Sequence, residues 1–314
     1  MARKKSKSKS SFKKYITLFV IIVGVICLLA QYFYPQEFAQ AKTWVQTQVS
    51  ELQGKVAERT TSDSVSAQSA NSEPVQVVKA EGSDLAPANY QPAVAKKLQI
   101  LKNIGYISGF SNELRVPLWV GYVTTYPFKY ETVERPSTFI QDTRAYGSAE
   151  HHDYSNSGYD RGHMAPNYVI GKCYGEKAQM ETFLMTNIIP QKPKLNRKQW
   201  KELEQYIANN LAKKYGKVLV FTGPVFESSN IEKIKGKVAI PTSCYMIIVV
   251  QNAKKEIFAI GFILPQVPTK KSIWDYCVSI DDIESLTGID FLPQLPDDVE
   301  NAVESNRNAL PFKN

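Results

Sequence analysis

Apolar positions along the chain fall into three regimes. Ile16–Ala30 (ITLFVIIVGVICLLA) is fifteen residues without a charge, and counted through Tyr34 the stretch reaches nineteen. Residues 58–92 are mostly Ser, Thr, Ala, Gln, Asn and Pro with few large apolar side chains. Such a segment buries too little surface to offset its ordering entropy and reads as a flexible tether. From about Ile107 onward, apolar runs alternate with turn signals, which is the pattern of a folded body.

Within that body, runs rich in β-branched and aromatic residues predict strands at Leu118–Thr125 and at Val218–Thr222, the latter ending on Gly223-Pro224. Two more, Ser243–Val250 and Ile257–Leu264, are joined by a turn through residues 252–255. Helical spacing predicts Lys177–Met185 and Arg197–Tyr215. The second helix sets Trp200, Leu203, Tyr206, Ile207 and Leu211 three or four residues apart. Strands do not alternate regularly with helices. That disfavours a doubly wound parallel sheet and favours an α+β domain, mainly an antiparallel central sheet flanked by helices.

Composition narrows the class. With 314 residues, 43% hydrophobic and 22% charged, the chain is globular and long enough for a sizeable core. The net charge of +8 is less informative than it looks, because residues 1–14 hold seven Lys/Arg and no acid, leaving +1 for the rest. Overall basicity therefore does not argue for a nucleic-acid partner. Locally, residues 191–217 carry eight Lys/Arg against two Glu, and residues 275–304 carry nine acids and no base. Both read first as solvated surface. The four cysteines form no CxxC pair, which excludes a disulfide-stapled scaffold and a CxxC zinc site. Export permits one disulfide among Cys173, Cys244 and Cys277, while Cys244, in an apolar strand, reads as a buried small hydrophobe.

A basic tail before an apolar run is the mark of a signal anchor or a cleaved signal. The anchor reading divides the chain into a cytoplasmic tail (1–14), a transmembrane signal anchor (15–34), a juxtamembrane helix with flexible linker (35–92) and a folded domain (93–314). Tyr32, Phe33 and Tyr34 would sit as an interfacial aromatic belt. The membrane is then a partner, and the domain is periplasmic or extracellular. Cleavage near Ala39-Gln40-Ala41 would instead give a secreted protein.

Candidate chemistry concentrates in Gly158–Asn167 (GYDRGHMAPN), where Asp160, Arg161 and His163 fall within four residues around Gly162. Asp160 is expected to anchor Arg161 or the backbone, and Gly162 to permit a tight path that aims His163 at a cleft. A neutral imidazole takes a proton from water near pH 7. Downstream, Asn196 stands at the start of the predicted helix, an N-cap position. Glu204 lies eight residues on, a rotation of ~80°, so both side chains share one face. An amide oxygen and a carboxylate are hard ligands suited to Mg²⁺. His151-His152-Asp153 lies in a polar loop and reads as solvated rather than metal-binding.

The combination of DRGH with N-x₃-W-x₃-E, joined by Thr186-Asn187-Ile188-Ile189-Pro190-Gln191, resembles the DNA/RNA non-specific endonuclease family with its ββα-metal (His-Me finger) site. The likeness runs from about Arg135 to about Pro293 and takes in TGPV at 222–225, KVAIPT at 237–242 and DIESLTG at 282–288. It implies a Mg²⁺-dependent, sugar-non-specific endonuclease acting on DNA and RNA to leave 5′-phosphates, with Mn²⁺ as a substitute ion. In that role His163 is the general base, Asn196 the direct metal ligand, and Glu204 acts on the ion through water. Arg161 and Arg135 are implied to bind phosphate, and Asn187 to support the geometry around His163. Ala208 stands where a relative has a further arginine, so phosphate contacts are expected either to be fewer or to be supplied by Arg197, Lys198 or Arg144. The family also implies a homodimer or an inhibitor protein as partners. Two other readings stay open: a non-catalytic nucleic-acid-binding module, and a phosphodiesterase for another polyanion or a wall polymer.

Overall fold

In a computed structural model, residues 78–79 and 84–313 are described, except 228, 229 and 271. The strands in chain order are β1 (Val78–Lys79), β2 (Ala93–Val94), β3 (Gln99–Lys102), β4 (Tyr106–Ser111), β5 (Val116–Thr125), β6 (Asp160–His163) and β7 (Ile188–Gln191). They continue with β8 (Lys217–Val225), β9 (Lys233–Ile234), β10 (Val238–Ala239), β11 (Ser243–Gln251), β12 (Glu256–Pro265), β13 (Cys277–Val278) and β14 (Ile289–Asp290). One eight-stranded sheet dominates, in the order β1-β12-β11-β8-β5-β4-β3 with β13 also on β12. Its ladders are antiparallel throughout. The α+β expectation holds.

The central strands are apolar at nearly every position because both sheet faces are covered. In β11, Cys244, Met246, Ile248 and Val250 enter one core, while Tyr245, Ile247 and Val249 enter the other. β8 divides the same way, with Val218 and Val220 against Leu219 and Phe221. Period-2 alternation thus persists without showing as polar–apolar alternation. The expected strand end at Gly223-Pro224 is displaced, since β8 runs on to Val225. Pairing with β5 stops at Thr222, so Pro224 faces β11 alone and no ladder on its other side needs its missing N–H.

Helix α1 (Asn167–Tyr174), α2 (Glu176–Glu181) and the long helix α3 over 195–215 serve the first core, through residues such as Ile170, Ala178 and Trp200. Lys177–Met185 shortens to α2 followed by a 3₁₀ turn at Met185–Asn187. Helix α3 starts at Leu195, and two of its stretches, Leu195–Trp200 and Ile207–Leu211, are π-helical. On the second core lie α4 (Ile280–Thr287) and α5 (Asp297–Glu304), through Ile280, Ile283, Val299 and Val303. The basic 191–217 stretch and the acidic 275–304 stretch therefore attach chiefly to opposite faces of the sheet.

Leu85 and Tyr90 are buried in the second core, so the described fold takes in residues upstream of 93. Cys173, Cys244 and Cys277 are all free thiols, so the disulfide that export would permit among them is not formed, and Cys244 is buried as its apolar strand suggested. The membrane-anchored localisation is corrected as well. No helix among the described residues is long and apolar enough to cross a membrane, and the anchor placed at 15–34 lies outside those residues.

Candidate active site

The DRGH run forms β6, which pairs antiparallel with β7, and α3 follows. This two-stranded ribbon meets the helix through Asp160, which engages Asn196 and Arg197. Gly162 lies within the ribbon, but not for a left-handed backbone: a Cβ there would meet Gln191 Oε1 at 2.1 Å, and Gln191 is buried. The glycine makes room for Gln191. Behind the ribbon, Thr222 of β8 donates to the Met164 carbonyl at 3.0 Å, tying the segment after His163 to the centre of the sheet.

Asn187 completes that clamp. Its Oδ1 accepts from the Ala165 N–H at 2.8 Å, and its Nδ2 donates to the carbonyls of Ala165 (3.0 Å) and Thr182 (2.9 Å). Its backbone carbonyl takes the Met164 N–H at 2.9 Å. The chain leaving His163 is therefore held at two successive residues by one buried amide.

His163 is half-buried between Phe139, with ring centroids 5.3 Å apart, and Phe183, edge-on at 5.1 Å. Its Nε2 is sealed from solvent with no hydrogen-bond partner among the described residues. Burial, then the nearby Arg135, push its pKa down to about 3, so the imidazole is neutral near pH 7.

Asp160 does not anchor Arg161. Its carboxylate accepts from Asn196 Nδ2 at 2.9 Å and from Arg197 Nε and Nη2 at 2.8 and 2.7 Å. These partners hold its pKa below the usual carboxylate value against the opposing effect of burial. Asn196 is thus not an N-cap: it sits inside the first turn of α3, and Asp160 occupies its amide nitrogen. Arg161 instead gives Nε and Nη2 to the His151 carbonyl and stacks its guanidinium near Phe139 and Tyr154.

A cavity of about 450 Å³ opens over this framework. Its wall includes Arg135, Arg161, His163, Asn196 and Glu204, which the sequence singled out. Glu204, half-buried at the cavity wall, has its pKa raised by burial to about 8, opposed by neighbouring Trp200 and Arg135. Arg197 does not line the cavity, because Asp160 engages it. Arg144 is likewise held by Asp142, which also accepts from Thr186. Ala208 is in the wall, and the cation on the same helix that reaches the cavity is Lys201.

Sequence reasoning missed Lys201, Asn167 and Tyr168, all in the wall. Lys201 lay within reach, since it precedes Glu204 by three residues on one helix. Nothing in spacing pointed to Asn167, whose Nδ2 is sealed and has no partner among the described residues, or to the exposed Tyr168. Of the histidine pair, His152 is exposed as expected, but the rest of the segment is tied into the fold. His151 accepts the Phe139 N–H through Nδ1 at 2.9 Å, and Asp153, 1% exposed, pairs with Lys237 at 2.8 Å. The segment braces the Arg161 side of the cavity.

Comparison with known proteins places the chain among nucleases. A nuclease from Nostoc sp. is 37% identical over 163 residues, 48% of this chain and 57% of the relative. Human mitochondrial endonuclease G is 30% identical over 212 residues, 63% of this chain and 70% of the relative. The chain thus spans little more than half of the first relative's length. A chain in a solved EndoG/EndoGI complex superposes with a TM-score of 0.57 at 29% identity, covering 63% of this chain and 86% of that one. Residues 87–298 match the DNA/RNA non-specific endonuclease family, and the chain belongs to it.

Proposed function

We propose that the chain is a Mg²⁺-dependent endonuclease that hydrolyses phosphodiester bonds in both DNA and RNA, with His163 as general base and 5′-phosphate products. The observation that carries this reading is the convergence of a neutral imidazole, an amide, a half-buried carboxylate and three cationic side chains on one cavity.

The donors fit a hard divalent cation. Asp160 occupies Asn196 Nδ2, which leaves Asn196 Oδ1 as the group able to coordinate. The half-buried Glu204 carboxylate, its pKa raised by desolvation, is disfavoured alone and favoured beside a cation. Asn196 would hold the ion directly and Glu204 through water. When bound, the ion supplies Lewis-acid stabilisation of charge on the phosphate and the leaving oxygen.

The chain's own residues do the rest. With Nε2 sealed, Nδ1 is the nitrogen of His163 that takes the proton from water. The water oxygen attacks phosphorus, the P–O3′ bond breaks, and the departing 3′-oxygen takes a proton from solvent water, while His163 later releases its own to solvent. Phe139 and Phe183 fix the ring and keep the base neutral. Phosphate drawn to Arg135 offsets the positive charge that depresses His163, so the base strengthens when substrate is seated. Arg161 keeps Nη1 for phosphate while Nε and Nη2 are engaged, and Lys201 adds a further charge. Contacts of this kind read the backbone rather than the bases, consistent with weak sequence preference. The solved relative in complex with its inhibitor supports an inhibitor protein as a further partner.

The test is incubation of the protein with supercoiled plasmid, with RNA and with an unrelated polyanion, in Mg²⁺ or EDTA, across a salt series. Mg²⁺-dependent loss of both nucleic acids, weakening with salt, is expected. Binding without cutting would leave the non-catalytic module, and cleavage of the polyanion alone would leave the other phosphodiesterase.

A further inference from the structure

On the sheet face that carries the second core, α4 and α5 gather carboxylates. One carboxylate oxygen each from Asp281, Glu284 and Glu304 lie within 4.8 Å of one another. Asp281 is exposed, Glu284 half-buried, and Glu304 only 5% exposed. Glu304 Oε1 is sealed from solvent and has no hydrogen-bond partner among the described residues. Glu284 already accepts the Phe291 N–H through Oε1 at 2.6 Å, which leaves its other oxygen for the cluster.

The surroundings make an uncompensated carboxylate at Glu304 hard to account for. The strongest charges acting on it are Glu284, Glu300, Asp281 and Asp290, all acids. Arg307, the cation nearby, gives Nη2 to Asp282 at 2.6 Å. Glu304 is also the last residue of α5, the end at which the helix dipole disfavours an anion. A buried carboxylate needs a cation or a hydrogen-bonded partner. Among the described residues, none supplies either to Oε1.

We propose that Asp281, Glu284 and Glu304 form a site for a hard divalent cation, Ca²⁺ before Mg²⁺, that ties α5 to α4. Oxygens within 4.8 Å of one another can share one ion at bonds of ~2.3–2.6 Å. Three carboxylates also exceed the one or two by which Mg²⁺, reluctant to shed its waters, is usually held. The exposed Asp281 side leaves room for the waters that complete the shell. The site is structural and separate from the nuclease cavity, which belongs to the other face of the sheet.

The experiment uses the full chain carrying Asn196→Ala, which disables the ion site proposed for catalysis. Protein stripped with EDTA and dialysed is titrated with Ca²⁺, and both calorimetric binding and thermal unfolding are followed. One Ca²⁺ per chain is expected, with Tm rising as Ca²⁺ is added. Adding Glu304→Gln removes a buried charge, so this variant should fold with an ion-free Tm at or above its parent and show no response to Ca²⁺. Asp281→Asn, at an exposed position, should weaken Ca²⁺ binding tenfold or more. A parent indifferent to Ca²⁺, or a Glu304→Gln variant that responds as the parent does, would overturn the site and leave the carboxyls sharing a proton.

Discussion

Asp160 accepts a hydrogen bond from Asn196 Nδ2 at 2.9 Å across the interface between β6 and α3. The aspartate of the DRGH run therefore sets which end of the Asn196 amide faces the cavity. Replacing Asp160 with Ala should weaken Mg²⁺ binding by roughly 10–100-fold, the usual cost of losing a residue that orients a metal ligand. Asp160→Asn keeps an acceptor for Asn196 and should lie much closer to wild type. The cost in stability should be small, about 1 kcal/mol or less for the ion pair, because the Arg197 side chain is 69% exposed. Mg²⁺ titrations of cleavage rate for the two variants decide it, and equal losses in both would point to charge rather than orientation.

Asn187 serves the other side of the histidine. Asn187→Leu would leave the Ala165 N–H and the carbonyls of Ala165 and Thr182 without their side-chain partner in a buried site. At about 1–3 kcal/mol for each stranded group, the loss should reach roughly 3 kcal/mol. Urea unfolding should show it as a lower midpoint, together with a fall in kcat from the displaced imidazole.

Gly162→Ala should be destabilising by about 1–3 kcal/mol, because its Cβ would lie 2.1 Å from Gln191 Oε1. If that clash is the cause, Gln191→Ala in the same chain should recover part of the lost stability. A double-mutant cycle that shows simple additivity would place the problem elsewhere.

The pKa shifts fix the pH behaviour of metal binding. Glu204, raised to about 8 in the ion-free protein, is protonated at pH 7 and must lose that proton to serve a cation. Mg²⁺ affinity should therefore fall as pH drops below about 8, by up to tenfold per unit, and level off above it. His163, lowered to about 3, stays neutral over this range in the free enzyme and adds no limb of its own. In stability the raised Glu204 has the opposite sense. Its stabilising proton is held fully below the unfolded value of ~4.3 and is lost as pH rises through about 8, so ion-free protein weakens over that window and Mg²⁺ should restore it. Isothermal titration at pH 6, 7, 8 and 9 reads the first effect directly.

Much of this was legible in the sequence, for physical reasons that differ by element. The runs at 243–250 and 257–264 announced buried strands because both faces of β11 are covered. Trp200, Leu203, Ile207 and Leu211 marked the inner face of α3 correctly, since a π-helical turn changes spacing too little to erase an apolar stripe. Side-chain partnerships were not legible. Asp160 and Arg197 are 37 residues apart, and only the ribbon's approach to α3 makes them a pair. The same holds for Asp153 with Lys237, and for Gly162, whose constraint is the buried Gln191 of the opposite strand rather than its own backbone. Glu304 looked like part of a solvated acidic run because eight other acids surround it in sequence. Packing of α5 against the sheet is what buries it.

The central claim is that His163 takes the proton from the attacking water. The most direct test compares wild type and His163→Ala in single-turnover cleavage of supercoiled plasmid with saturating Mg²⁺, alongside DNA binding in Ca²⁺ by fluorescence anisotropy. The account predicts a cleavage rate reduced by about 10²–10⁴-fold, the usual contribution of a positioned base, with DNA affinity within about threefold of wild type. Cleavage by His163→Ala at a rate near wild type, with DNA affinity also unchanged, would contradict it and move the base elsewhere in the cavity.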